Sequence, residues 1–151
     1  MLDTIRLLEH SVGLYILDGN GYLHPRHMRL ATHAGILLGV PTIGVAKSYY
    51  KVENVDYIEL KNKVFAYEDI VIRGEVYGRV LRTHGNVRPI FLSVGNLIDM
   101  ETAMGVTKHF VTKESHIPMP IRYADIMTHE MRKEYQKKIE ETCFVGEIKN
   151  V

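Results

Sequence analysis

Three short stretches of this sequence carry residue types that could do chemistry. The first is Asp18, which ends an apolar run (VGLYIL, residues 12–17) and is followed by Gly19-Asn20-Gly21. A carboxylate at the end of a buried strand suits a hard divalent cation such as Mg²⁺, which prefers carboxylate oxygens and keeps several waters. The same four residues also make a good turn, since Asp, Gly and Asn all favour one, so Asp18 reads equally as a metal ligand or as a turn residue. The second stretch is His24-Pro25-Arg26. A histidine just before a helix start can meet a phosphate or a base edge, and an arginine pairs well with phosphate; capping or plain surface exposure is the competing reading. The third is Lys47, at the end of Thr42-Ile43-Gly44-Val45-Ala46. A lysine there could neutralise a phosphate or a leaving oxyanion, or simply be solvated.

These residues matter together only if the chain brings them together. Residues 12–17 have strand length and apolarity. Pro25 can open a helix, and residues 26–38 carry Met28, Leu30, Ala31, Ala34, Ile36, Leu37 and Leu38 before Gly39 and Pro41 stop it. Residues 42–46 form a second apolar strand. Strand, helix and strand with tight connections make a βαβ unit with parallel strands. Asp18 and Lys47 then emerge at the same carboxyl end of the sheet, where open α/β sheets bind ligands.

The remaining elements are coarser. Residues 2–10 have the spacing of the last turns of a helix, and residues 48–66 read as an irregular excursion. Residues 69–73 and 75–82 alternate around Gly74 as a hairpin. Arg82-Thr83-His84-Gly85-Asn86 is a basic turn, and residues 89–94 are a buried strand. Asp99 can cap a helix over residues 100–110. Residues 117–120 read as an extended linker and residues 121–143 as a long helix, with residues 132–141 a charged, solvated face.

Composition sets bounds. The 151 residues are 46 % hydrophobic and 25 % charged, with a net charge of +1, as in one soluble globular domain over residues 1–151. That charge excludes a strongly basic nucleic-acid-coating protein and leaves room for a local basic patch. Cys143 is the only cysteine, so no internal disulfide forms, in keeping with a reducing, cytoplasmic setting. Asp3, Arg6 and Glu9 rule out a signal-peptide core in the first ten residues, and the apolar run at 34–40 is far too short to span a membrane. The cluster His24, His27 and His33 lacks the Cys/His pairing usual for zinc. A dinucleotide fingerprint is absent, because His24 stands where a third glycine would follow Gly19 and Gly21.

Taken in order, Asp18-Gly19-Asn20-Gly21, His24-Pro25-Arg26, Ala31-Thr32-His33, Gly35 and the block from Pro41 to Ser48 closely resemble the endonuclease V family. Val80-Leu81-Arg82-Thr83, Pro89, Ser93-Val94-Gly95, and Pro120, Arg122, Ala124 and Asp125 are similar to later family blocks, so the resemblance runs from about residue 5 to 130. It implies an α/β, RNase H-like mixed sheet with flanking helices. It implies an enzyme, dependent on Mg²⁺ or Mn²⁺, that cuts DNA or RNA near deaminated adenine (hypoxanthine), one bond beyond the lesion on its 3′ side. By position, Asp18 and Asp125 match metal-binding residues, and Lys47 a lysine near the scissile phosphate. Gly19, Gly21, His24, Arg26 and Arg82 fall to substrate binding, with Gly19 and His24 walling a pocket for the flipped base. Arg29 stands where the family usually has glycine beside that pocket, Asn96 replaces a histidine, and Ile121 a threonine.

The resemblance covers the C-terminal two-thirds of the family. The family's first three strands, two further acids and a Tyr-Ile-Pro wedge find no counterpart here, and in the family the strand of Asp18 pairs with the first of those strands. The expectation is therefore an exposed apolar edge at residues 12–17, covered by a second copy or by a partner subunit. A different class of protein, a non-catalytic nucleic-acid binder keeping Arg26, Lys47 and Arg82, is the alternative.

Overall fold

The computed structural model of the chain describes residues 12–148 together with Ile5, and side chains through residue 139. It divides into two compact units, one ending at Ile121 and one starting at Arg122. The first unit is a five-stranded mixed sheet. Its strands are β1 (Tyr15–Asp18), β2 (Thr42–Ala46), β3 (Tyr67–Ile72), β4 (Glu75–Leu81) and β5 (Ile90–Asn96), in the order β1-β2-β5-β4-β3. Between β1 and β2 lies the helix α1 (Leu30–Leu38); α2 (Met100–His109) follows β5, and α3 (Met119–Ile148) closes the described chain.

The βαβ reading holds. β1 and β2 are parallel, with Tyr15 opposite Thr42 and Asp18 opposite Val45. β2 runs antiparallel to β5, and β5 to β4, which pairs with β3 as a hairpin. Arg73 and Gly74 both take left-handed conformations (φ 52° and 82°) between the paired ends Ile72 and Glu75, the twist a two-residue hairpin turn requires.

Alternation along each strand separates two cores. Ile43, Val45, Leu81, Ile90 and Leu92 face Ala103 and Met104 of α2. Ala46, Val80 and Phe91 face the opposite way, onto Leu23 and onto Val52 and Leu60 of the excursion between β2 and β3. That second face also carries α1, because the Thr42 hydroxyl donates to the Ala31 carbonyl at 2.8 Å. At the end of α2 nearest β5, the Asp99 carboxylate accepts the Thr102 N–H at 2.9 Å, the cap expected there. Arg79, 4 % exposed, ties β4 to β3 and α2 by pairing with Asp69 at 2.6 Å and Glu101 at 2.9 Å.

Several boundaries differ from expectation. α1 starts at Leu30, not at residue 26, because His27 has φ 50° and Arg29 is extended; a left-handed residue interrupts the ladder that Pro25 would otherwise have begun. β1 starts at Tyr15 and β5 reaches Asn96. The helix α3 starts at Met119, so Pro120 lies in its first turn, where a missing N–H costs nothing. Apart from helical Ile5, the helix expected over residues 2–10 lies outside the described residues. Among the described residues no helix is long and apolar enough to cross a membrane.

The turn after β1 is pressed onto the sheet. A Cβ on Gly21 would overlap the backbone carbonyl of Val94, and one on Gly44 would lie 2.5 Å from the Gly21 nitrogen. Gly21 donates its N–H to the Ser93 hydroxyl at 2.8 Å. Gly21→Ala must push two backbones apart and is expected to cost about 1–3 kcal/mol of unfolding free energy. Gly13, with nothing within 4 Å of a built Cβ, is the control: Gly13→Ala should change stability by no more than about 0.5 kcal/mol. Urea denaturation of the two variants checks both values.

Candidate functional site

Asp18 is the last residue of β1 and Lys47 the first after β2. Because the strands are parallel and in register, both side chains leave the carboxyl end of the sheet, and the Lys47 ammonium lies 2.9 Å from the Asp18 carboxylate. The two side chains are 35 % and 45 % exposed. A pair so open to water contributes about 0–1 kcal/mol to stability, so its value lies in what it positions.

The pressed turn delivers the next residues. Gly19 donates its N–H to the Val45 carbonyl at 3.0 Å, and Tyr22 donates to Val94 at 2.8 Å. Gly19 itself is left-handed in sign (φ 143°), with Leu30 the nearest neighbour to a built Cβ. Beyond it, residues 22–29 fold back as a loop. The Tyr22 hydroxyl donates to Glu75 at 2.6 Å, and the carboxylate pushes the phenol up to about 12, with burial adding to the effect. The His27 ring lies 4.4 Å from the Tyr22 ring and 4.5 Å from the Tyr77 ring, and its Nε2 is 3.1 Å from the Tyr77 hydroxyl. These contacts bolt the loop to β4 and explain how His27 is held in a left-handed conformation.

The loop and the start of α1 enclose a cavity of about 740 Å³ lined by His24, Arg26, Met28, Arg29, Leu30 and His33. Arg26 and Arg29 are exposed, and the cavity is cationic although the chain as a whole is nearly neutral. Partial burial, then Arg26 and Arg29, hold the His24 imidazole below its ordinary 6.5. His24 Nδ1 accepts the Arg26 N–H at 3.2 Å, so the neutral ring carries its proton on Nε2 and is a donor there.

Tyr50, which no motif in the sequence singles out, bridges the two rims. Its ring stacks on His24 (centroids 5.6 Å apart, 22° between planes), and the Arg29 guanidinium sits 4.8 Å from its centroid. The only sequence signal was its place three residues after Lys47. Asn96 serves the fold, since its amide donates to the carbonyls of Gly35 (3.0 Å) and Val40 (3.2 Å) at the far end of α1. Arg82 leaves β4 at the same end of the sheet, three strands from β1, and donates to the carbonyls of Val87 (2.7 Å) and Leu60 (3.4 Å). Asp125 stands in the second unit, on α3, where the His129 ring donates to its carbonyl at 2.9 Å.

Among the described residues no group of three His, Cys, Asp or Glu side chains could hold a metal ion. Asp18 has the right chemistry for a hard cation, but it is one ligand, and one carboxylate does not hold Mg²⁺ without further oxygens. The described residues of the first unit therefore do not make a metal centre on their own.

His24 should titrate below 6.5 in a histidine-resolved NMR experiment. Its depressed value means that the neutral form is favoured by the fold, so this group's contribution to stability is complete above 6.5 and is lost as pH falls through the folded value. Arg29→Ala should move the titration upward without restoring it fully, since burial, the larger cause, remains. An unchanged or lower midpoint in the variant contradicts this assignment.

Comparison with known proteins agrees with this geometry. The family model described as Endonuclease V matches residues 1–126. An Endonuclease V of Bacillus thuringiensis is 51 % identical over 133 residues, which is 88 % of this chain and 57 % of the relative. The crystal structure of the Bacillus subtilis Endonuclease V superposes with a TM-score of 0.88 at 47 % identity, over 91 % of this chain and 58 % of that one. The Ciona intestinalis Endonuclease V, crystallised with a 23mer DNA containing an inosine followed by a ribo-adenosine, is 26 % identical with a TM-score of 0.75, over 89 % of this chain and 61 % of that one. The chain thus spans 57–58 % of the length of the Bacillus relatives it matches. On the family match over residues 1–126, which include the βαβ unit that joins Asp18 to Lys47, the chain belongs to the Endonuclease V family.

Proposed function

We propose that this chain serves in metal-dependent hydrolysis of a phosphodiester in DNA or RNA beside a deaminated adenine. The observation that carries the reading is the Asp18–Lys47 pair, 2.9 Å apart at the carboxyl end of the sheet and linked by the turn at 19–21 to a cationic cavity. Lys47 is suited to neutralise the scissile phosphate or the leaving oxygen. Arg26 meets phosphate, while His24, Gly19 and Gly21 frame the space for a base taken out of its stack. A neutral His24 with its proton on Nε2 donates a hydrogen bond. Hypoxanthine offers a carbonyl oxygen where adenine offers an amino donor, so a fixed donor favours the deaminated base. The inosine-containing DNA bound by the Ciona relative supports that choice.

A hard divalent cation, Mg²⁺ or Mn²⁺, belongs to this reading and would supply charge neutralisation at the phosphate. Asp18 is the described residue of the first unit that would hold it, and among the described residues no cluster of three His, Cys, Asp or Glu side chains forms around it; Asp125 would be a further ligand on the family resemblance. Arg82 is kept as a substrate-side cation on the same ground. A cytoplasmic place goes with a nucleic-acid substrate. The outer side of β1, the outermost strand among the described residues, is proposed to pair with a second copy or a partner subunit, because an open apolar strand invites pairing.

Two measurements test this. Inosine-containing DNA and RNA are offered with Mg²⁺ or Mn²⁺ to the wild type, Asp18→Ala and Lys47→Ala. Metal-dependent nicking should vanish in Asp18→Ala and fall by roughly 10²–10³ in Lys47→Ala, the scale for losing one group that stabilises developing charge. A folded wild type that binds in a salt-dependent way but never cuts would instead make the chain a nucleic-acid-binding module. Light scattering after size exclusion should give at least twice the 17.3 kDa chain mass; a monomer at high concentration removes the paired-edge proposal as it concerns a second copy.

A further inference from the structure

A second cavity opens at the same end of the sheet. It measures about 390 Å³, within the range of small-molecule pockets, and its walls include Val64, Phe65, Thr83, His84, Val111 and Lys113. The register fixes its place. Ala46 lies opposite Phe91, and Leu81 opposite Ile90, so Thr83 and His84 follow β4 at the end of the sheet where Asp18 ends β1 and Lys47 follows β2. Three inter-strand steps of about 4.8 Å put β4 about 14 Å from β1 along that end. Phe65 lies further out still, donating its N–H to the Arg82 carbonyl at 2.7 Å.

Three features lie in or beside this cavity. Phe65 holds a left-handed backbone (φ 62°) and is 37 % exposed; a bulky residue is rarely found in that conformation, and such strain collects at functional sites. The His84 Nδ1 is buried and has no hydrogen-bond partner. The Lys108 ammonium sits 5.4 Å from the Phe65 ring centroid, and Lys113 is exposed at the rim. An exposed aromatic side chain, apolar side walls and two nearby cations are the parts that bind a nucleobase with its phosphate. Aromatic stacking takes the base, and lysines follow the backbone.

We infer that this cavity is a second base-binding subsite, taking a nucleotide of the same strand a few positions from the one bound beside Asp18. The inference rests on the nucleic-acid reading above and adds a direction: the strand runs along the carboxyl end of the sheet from β1 toward β4. Arg88, exposed on the intervening loop, lies on that course.

The chain has no tryptophan, so Phe65→Trp introduces a single reporter. The full-length variant is titrated with single-stranded oligonucleotides bearing one inosine and arms of increasing length on either the 5′ or the 3′ side, with binding followed independently by anisotropy of a labelled strand. Quenching of the tryptophan should appear only beyond a threshold arm length and on one side. Phe65→Ala should weaken binding of the long strand by roughly tenfold and leave the short strand unaffected, and Lys113→Ala should lower the salt slope for the long strand by about one. Binding of all strands with no quenching, and equal affinities for Phe65→Ala and wild type, overturns the subsite while leaving the Asp18 site standing. No binding of any strand overturns both.

Discussion

The backbone of residues 19–21 lies directly on β2 and β5, with no space for a side chain between them, and the rest of the site depends on that contact. Gly21 sits under the Val94 carbonyl and Gly44 under the turn. Gly35 and Gly95 do the same for α1, since a Cβ on either would overlap the Thr42 hydroxyl. Thr42 uses that hydroxyl to hold the Ala31 carbonyl. Close approach of backbone to backbone fixes distance more tightly than packed side chains, which repack by changing rotamers. Asp18, one residue before the turn, inherits that fixity. So does the loop that begins one residue after it.

What the turn fixes at one end, two ring contacts fix at the other. His27 is held against Tyr22 and Tyr77, and Tyr50 joins His24 to Arg29. The cavity beside them is therefore bounded by a loop tied to β4 and by the start of α1, with Tyr50 holding two of its lining residues, His24 and Arg29. Arg29, where the family usually has glycine, directs its charge at the Tyr50 face and also lowers the basicity of His24. A chain with a net charge of +1 thus concentrates cationic groups where an anionic strand would lie.

Much of this was legible in the sequence, for identifiable reasons. Tight connections between two apolar runs dictate a parallel pair, and a parallel pair dictates that Asp18 and Lys47 meet. Gly74 between alternating segments dictates the hairpin, and Asp99 before a helical run dictates a cap. What was not legible depends on contacts far away in the chain. Pro25 promises a helix that His27 interrupts, and His27 is held by a ring of β4 far along the chain. Arg82 looks free in sequence, but its partners are carbonyls of the loops it supports. Asn96 reads as a lost histidine until its amide is seen closing α1.

That last contact has an electrical consequence. Asn96 and the left-handed Gly39 together satisfy carbonyls at the C-terminal end of α1, while no side chain caps the N-terminal end, where Arg29 precedes Leu30. The peptide dipoles of the helix sum to a partial positive charge at that end, where the Ala31 N–H donates to the Asn20 carbonyl at 3.2 Å and Leu30 borders the cavity. Part of the attraction for an anion there comes from the main chain and not from any titratable group. It is independent of pH and survives replacement of every arginine around it, for as long as the far end of the helix stays anchored to β5.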